Sequence, residues 1–146
     1  MPVATHKAVI NATIEQVMAV ITDFESYPSF LPEMEEAKIL KSEEGCWEVE
    51  FRIQIIRRLS YTLRLVREGP GLLTWVLIDG AFQTNKGSWS LESTEDGTSA
   101  VYQIDLQIGH FVPSSIVRSL VGRTLPETVS RFKIETERRT GTSSPS

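Results

Sequence analysis

Few residues of this chain could act as an acid or a base in catalysis. His6 and His110 are the only histidines, and His110 lies between the last predicted strand and the last predicted helix. A general base must come within ~3 Å of a substrate proton and have a pKa matched to its task. Nothing in the sequence around either histidine indicates this. We therefore predict a surface or loop position for His110 and no catalytic residue.

The sequence also predicts no thiol or metal chemistry. Cys46 is the single cysteine, so an internal disulfide is excluded. It has no basic neighbour in sequence that would favour a thiolate, and we expect it to pack in the protein or to lie at the surface. Two separated histidines and scattered carboxylates make no recognisable ligand set. We expect no metal and no cofactor.

Three hydroxyl groups suit a different chemistry, which is the orientation of a bound molecule. Tyr61 and Tyr102 each fall on the apolar side of an alternating strand, and Thr124 falls on the apolar stripe of the last helix. Such groups can give a mainly apolar ligand the few hydrogen bonds that fix its orientation. Gln103 and Asp105 point to the opposite side from Tyr102, so no acid–base pair is predicted inside. This pattern favours binding over catalysis.

Local signals near the N-terminus predict the first elements. Residues 3–11 are typical of a strand. Thr13 and Gln16 have the spacing of a capping box, in which each side chain bonds the backbone N–H of the other, and we expect a short helix to begin there. A second short helix should end at a rigid apolar loop between Pro28 and Pro32.

Period-two alternation predicts strands from about residue 33 to 109, separated by short Gly-containing turns. The runs that show it are 47–55, 59–65, 87–91 and 100–108, whereas 72–78 is more continuously apolar and its inward side is not defined by alternation. A long C-terminal helix follows, with Pro113 in its first turn. Pro126 interrupts its apolar stripe, and the Thr124-Leu125-Pro126-Glu127 segment resembles a second capping box. We expect the helix to kink or restart there.

Length and composition set limits on the function. The 146 residues are 40% hydrophobic and 23% charged, as in a soluble globular protein. We predict one domain at residues 1–137 and a disordered tail at 138–146. The net charge of −4 argues against nucleic-acid binding, which requires basic side chains. No run of 18 apolar residues and no signal-peptide pattern is present, so we expect a cytoplasmic protein.

The order of elements implies an architecture. A sheet with one apolar face must cover it, and only the C-terminal helix is long enough to do so. A helix is ~10–12 Å across, too narrow to cover six or seven strands spaced ~4.8 Å apart. The sheet must therefore curl around the helix, and large inward side chains either fill the space between them or line a cavity.

Two stretches carry a resemblance to a known family. Residues 17–40 (VMAVITDFESYPSFLPEMEEAKIL) and residues 77–91 (LIDGAFQTNKGSWSL) resemble START-like proteins of the SRPBCC superfamily. The similarity is to the polyketide cyclase/dehydrase branch, which includes coenzyme Q-binding proteins. It implies an α+β helix-grip fold, in which a curled antiparallel sheet holds a long C-terminal helix and a hydrophobic ligand lies between them.

We expect that ligand to contact large inward residues of the sheet and the inner stripe of the helix. The resemblance itself points to Phe30, Leu31, Phe82 and Trp89 near the pocket. The full predicted set is Phe30, Leu31, Trp47, Phe51, Tyr61, Trp75, Phe82, Trp89, Tyr102, Phe111, Val117, Leu120, Val121 and Thr124.

Charged residues change sign along the chain. Acidic residues dominate from 33 to 50 and arginines from 52 to 67. On adjacent antiparallel strands these charges would pair across the sheet. The alternative is a docking surface for a protein or an anionic membrane.

Three functions remain open from the sequence. The first is binding or transport of a lipid, isoprenoid quinone or polyaromatic molecule. The second is a polyketide aromatase/cyclase, with Tyr61, Tyr102 or His110 moving a proton. The third is a protein-interaction module resembling the ribosome-association toxin. The sequence does not indicate an oligomeric state.

Overall fold

The computed structural model describes residues 3–54, 58–80, 82–108, 115, 118 and 124–141. A strand, a helix and a 3-10 helix come first, and six further strands and a helix follow. In order these are β1 (Val3–Ile10), α1 (Ile14–Ile21), η1 (Phe24–Ser29), β2 (Met34–Glu43), β3 (Cys46–Gln54), β4 (Arg58–Arg67), β5 (Leu72–Gly80), β6 (Phe82–Thr94), β7 (Gly97–Ile108) and α2 (Leu125–Thr140).

The seven strands form one antiparallel sheet in the order β1-β7-β6-β5-β4-β3-β2. Consecutive strands β2 to β7 form a meander, and β1 pairs with β7 as an edge strand of the sheet. The predicted alternation is clear in β3, where Val49, Phe51 and Ile53 are buried. One face of the sheet is therefore apolar, and α2 lies against it. The curled sheet and the C-terminal helix confirm the expected α+β helix-grip fold.

The α1 helix begins at the predicted capping box. The backbone N–H of Gln16 donates to Thr13 Oγ1 at 3.1 Å, and the backbone N–H of Thr13 donates to Gln16 Oε1 at 2.9 Å. The second short helix is the 3-10 helix η1. The buried Tyr27 donates its hydroxyl hydrogen to the Ile21 carbonyl, which ties η1 to the end of α1.

The start of α2 differs from the predicted capping box. Thr124 has helical backbone angles and makes no side-chain cap hydrogen bond, and Pro126 lies in the first turn. The Thr124 carbonyl instead accepts a hydrogen bond from Thr128 Oγ1 at 2.8 Å. Ser115 and Arg118 are helical, whereas Pro113 and the rest of the predicted upstream helix lie outside the described residues.

The end of α2 lies beyond the predicted boundary at residue 137. The helix runs to Thr140 and stops at Gly141, which has a left-handed backbone with φ 75°. Arg138 and Arg139 both donate to the buried carboxylate of Glu135 at 2.7 Å. These bonds hold the last turn, so the part of the predicted tail at 138–140 is helix. Residues 142–146 lie outside the described residues.

The charged strands pair across the outer face, as predicted. Arg58 Nε lies 2.6 Å from Glu35 Oε1, and Arg64 Nη2 lies 3.1 Å from Glu48 Oε2. Arg52 lies 3.3 Å from Glu35. These pairs lie at the surface, where solvent screens them, so each contributes little to stability.

Two features are absent from the described residues. No helix there is both long and apolar enough to cross a membrane. No three His, Cys, Asp or Glu side chains there come together as a metal site.

Candidate functional site

A cavity lies between the apolar face of the sheet and α2. The space that the centres of water molecules could occupy inside it is about 120 Å³. One water needs roughly 10–15 Å³ by this measure. The large side chains between sheet and helix therefore line a space as well as packing against one another.

Most of the described residues predicted to contact a ligand lie in the wall of this cavity. They are Leu31, Phe51, Tyr61, Trp75, Phe82, Trp89, Tyr102 and Thr124. They come from the loop before β2, from β3 to β7 and from the residue that precedes α2. For Phe51, Tyr61, Trp89 and Tyr102, the period-two pattern predicted an inward side chain.

Phe30 and Trp47 lie beside the cavity and are not part of its wall. The Trp47 ring packs on Phe24 with centroids 5.4 Å apart. Phe30 packs edge-on against Phe132 at 5.2 Å and lies under the Arg139 guanidinium. Both rings therefore pack against residues of η1 and α2 instead of facing the cavity. The remaining predicted residues, Phe111, Val117, Leu120 and Val121, lie outside the described residues.

Aromatic contacts set the shape of the wall. Tyr102 packs on Trp89 at 4.8 Å and on Trp75 at 5.6 Å between ring centroids. Tyr61 packs on Phe82 at 5.0 Å. Planar rings in such tilted and edge-on contacts do not interdigitate as aliphatic chains do. Phe132 also lies in the wall, where its ring centroid is 5.2 Å from that of Trp89. It was not among the ligand contacts predicted from the sequence.

Two tyrosine hydroxyls give the wall hydrogen-bonding capacity. Burial raises the pKa of Tyr61 and of Tyr102 well above the ordinary value near 10. Both phenols therefore stay protonated at neutral pH. A protonated phenol can donate a hydrogen bond to a ligand and accept one from it.

Glu33 also lines the cavity, which was not predicted. The sequence placed it in the acidic run at 33–50, whose charges were expected to pair with arginines across the sheet. Burial raises the pKa of Glu33, and the nearby Arg131 charge opposes that rise. The Glu33 charge in turn raises the pKa of Tyr61. The prediction of no acid–base pair inside considered only Gln103 and Asp105, and Glu33 adds a carboxyl to the same wall as Tyr61.

Asn85 is a second polar residue in the wall that was missed. It is 4% exposed, and its Oδ1 accepts a hydrogen bond from the Trp75 indole N–H at 3.1 Å. A β-bulge in β6 between Phe82 and Thr84 shifts the register against β7. Phe82 and Asn85 are three residues apart, yet both face the interior because of this bulge.

The other candidate groups among the described residues lie away from the cavity wall. Gln103 is exposed and Asp105 is half-buried, and neither lines the cavity, as predicted. Cys46 is a partly buried free thiol at the start of β3. His6 is half-buried in β1 and does not line the cavity. His110 lies outside the described residues.

Comparisons with known proteins agree with this architecture. Residues 10–133 match the sequence profile of a family described as polyketide cyclase / dehydrase and lipid transport. None of the curated protein sequences compared with the chain matches it.

Several solved structures share the fold. A START superfamily protein from Mycobacterium smegmatis is 20% identical with a TM-score of 0.81, covering 94% of this chain and 98% of that chain. The Zhui aromatase/cyclase from Streptomyces sp. R1128 is 16% identical with a TM-score of 0.83, covering 95% of each chain. A STAR-related lipid transfer protein from Xanthomonas axonopodis is 16% identical with a TM-score of 0.75, covering 91% of this chain and 84% of that chain. At these identities the likeness establishes the fold.

Proposed function

The chain belongs to the polyketide cyclase/dehydrase and lipid transport family, and on that premise we propose that it binds and carries a hydrophobic small molecule. Its START-like fold was expected from residues 17–40 and 77–91. A lipid, an isoprenoid quinone or a polyaromatic molecule would suit the cavity between the sheet and α2. The observation that carries the proposal is the cavity itself, whose wall is mainly aromatic and aliphatic.

Burial of apolar ligand surface would supply the binding free energy. Each Å² of apolar surface removed from water contributes ~25 cal/mol before the costs of association. A ligand with about 250 Å² of such surface would gain about 6 kcal/mol by this estimate. A molecule larger than the present space would require α2 or the loop at Leu31 to move outward.

We propose that the wall residues predicted from the sequence contact this ligand directly. Phe30 and Trp47 would act behind the wall, where they support Phe132 and Phe24. For Phe111, Val117, Leu120 and Val121 the ligand contact remains a proposal from the sequence alone.

Native mass spectrometry of the purified protein, followed by organic extraction, tests the proposal. We expect a stoichiometric apolar compound on the wild-type chain. Leu65→Phe places extra volume in the cavity wall and should reduce the fraction of protein that carries the ligand. Val76→Phe makes a similar change at a 46% exposed position of the neighbouring strand and should leave occupancy unchanged. Equal occupancy in both variants would contradict the proposed site.

An aromatase/cyclase is the second candidate function. Glu33 and Tyr61 favour it, because a half-buried carboxyl and a phenol in one cavity can exchange protons with a substrate. The shared fold of the Streptomyces aromatase/cyclase is consistent with it. Incubation with a poly-β-keto substrate separates the two functions, since a carrier returns its ligand unchanged and a cyclase converts it repeatedly.

Other partners remain proposals with less support. The outer arginines and carboxylates already pair with one another, which leaves less charge for a protein or membrane surface. A transient contact with either would be needed when a carrier unloads. We propose a cytoplasmic location and no nucleic-acid partner, which cell fractionation and a nucleic-acid binding assay would test.

A further inference from the structure

We propose that Asn85 recognises a carbonyl oxygen of the ligand by donating a side-chain amide hydrogen bond to it. This inference rests on the proposed binding function and narrows the ligand class. The molecule would be hydrophobic and would carry a ketone, quinone or similar carbonyl group that lies deep in the cavity.

Trp75 fixes the orientation of the Asn85 amide. The indole N–H can only donate, so the oxygen of the amide must face it, as the 3.1 Å distance to Oδ1 shows. The amide nitrogen, with its two hydrogens, must then point away from the indole. Asn85 lines the cavity and is 4% exposed, so the nitrogen is a buried donor in a mainly apolar wall.

Two features of β6 support this arrangement. Asn85 has the same parity as the buried Trp89, so its side chain faces inward, and the bulge between Phe82 and Thr84 brings Phe82 to the same side. Gly87 lies opposite Trp75 in the sheet, and a Cβ atom there would come 2.7 Å from Cζ2 of the indole. The missing side chain lets the indole lie over the strand, with its N–H at Asn85.

The neighbouring groups favour an acceptor on the ligand. A donor in an apolar wall gains from a nearby acceptor, and a ligand carbonyl would supply one without adding a donor of its own. Tyr102, whose ring contacts Trp75, is a protonated phenol and can donate as well. This part of the wall therefore suits an oxygen that only accepts hydrogen bonds.

Two probes of similar shape test the inference. 1-Tetralone carries one ketone, and tetralin is the same bicyclic skeleton without it. Titration calorimetry should show that Asn85→Leu weakens 1-tetralone about tenfold, the effect of one neutral hydrogen bond. Tetralin should bind the variant as well as it binds the wild type, or more tightly. Gln103→Leu makes the same kind of change on the outer face and should alter neither affinity.

The outcomes separate this inference from the proposed function. If neither probe binds the wild type, the proposed function and this inference both fail. If both probes bind and Asn85→Leu changes their affinities equally, only the role of Asn85 is wrong. The same conclusion follows if Tyr102→Phe removes the preference for the ketone and Asn85→Leu does not.

A measurement on folded wild-type protein covers the case in which Asn85→Leu does not fold. The infrared carbonyl stretch of bound 1-tetralone should lie below its position in a hydrocarbon solvent, because a hydrogen bond weakens the C=O bond. Trp75→Phe removes the N–H that orients the amide and should lower the preference for 1-tetralone over the corresponding alcohol. A carbonyl stretch at the hydrocarbon position would overturn the inference.

Discussion

At the residue scale, Gly87 shows how one missing side chain determines the geometry of the cavity wall. A Cβ at this position would come 2.2 Å from the Gln103 carbonyl oxygen and 2.7 Å from the Trp75 ring. Both distances are far below van der Waals contact, so the backbone and the indole would have to shift.

Gly87→Ala should therefore lower the free energy of unfolding by about 1–3 kcal/mol, the usual cost of overpacking. Urea denaturation measures this loss. Ser90→Ala, an exposed position on the same strand, is the matched control and should change the midpoint little. If both variants unfold at the wild-type midpoint, the contact described for Gly87 is wrong.

A second residue-scale prediction concerns Glu135 and acid. Its hydrogen bonds with Arg138, and then with Arg139, lower the pKa of the Glu135 carboxyl. A carboxyl with a lowered folded-state pKa stabilises the fold above its unfolded-state pKa of about 4.3, and this stability is lost as the pH falls through the folded value. The unfolding free energy of the wild type should fall over that range.

Glu135→Gln should reduce stability at pH 7 and flatten this part of the pH profile. Glu44→Gln, in the exposed turn between β2 and β3, is the control and should keep the wild-type slope. Thermal unfolding from pH 3 to 7 provides the comparison. A Glu135→Gln profile parallel to that of the wild type would count against the ion-pair role.

The residues also show what sequence reasoning can and cannot find. Phe51, Tyr61 and Tyr102 were placed in the cavity by alternation alone, because each strand has one apolar side. Asn85 has the same parity as Trp89, yet it was missed because its amide looked like a surface group. Glu33 was missed because it lies before the first residue of β2, where alternation gives no direction.

At the element scale, a tyrosine hydroxyl stabilises the connection between α1 and η1. Tyr27 is buried and donates to the Ile21 carbonyl at the end of α1. Tyr27→Phe leaves that carbonyl without this bond and should cost about 1–2 kcal/mol. Tyr61→Phe is the matched substitution in the cavity wall and should cost less stability. Chemical denaturation of the two variants gives the comparison, and an equal loss would contradict the assignment.

Element types were easier to predict than element ends. The capping box at Thr13 fixed the start of α1, since both of its hydrogen bonds are local. The end of α2 was placed too early because Arg138 and Arg139 look like the start of a polar tail. Their partner Glu135 lies within one turn, and Asp23, which also binds Arg139 at 2.9 Å, is distant in sequence.

At the scale of the whole molecule, a bound ligand should stabilise the fold. A ligand that binds only the native state adds ~2.7 kcal/mol when its concentration is 100 times its Kd. We expect 1-tetralone to raise the melting temperature of the wild type progressively as its concentration rises above its Kd. Leu65→Phe, with a smaller cavity, should show a smaller rise, and Val76→Phe the wild-type rise. A rise of equal size in all three proteins would indicate binding elsewhere.

The curl of the sheet was predicted from the widths of a helix and a sheet. A cavity between them is consistent with that mismatch in width. The size of the cavity could not be predicted from the sequence. It depends on the tilt of each ring, such as the 4.8 Å contact of Trp89 with Tyr102. Ring tilt is set by neighbours on several strands at once.

The pairing of β1 with β7 has a consequence for synthesis on the ribosome. Residues 3–10 find their hydrogen-bonding partners only at residues 98–105. About two thirds of the chain must therefore leave the exit tunnel before the first strand can be paired, and until then β1 is unpaired and β6 has an unsatisfied edge. Contacts so distant in sequence slow folding and expose nascent chains to aggregation. Chaperone protection during translation would matter more for this protein than for a helical bundle of equal length.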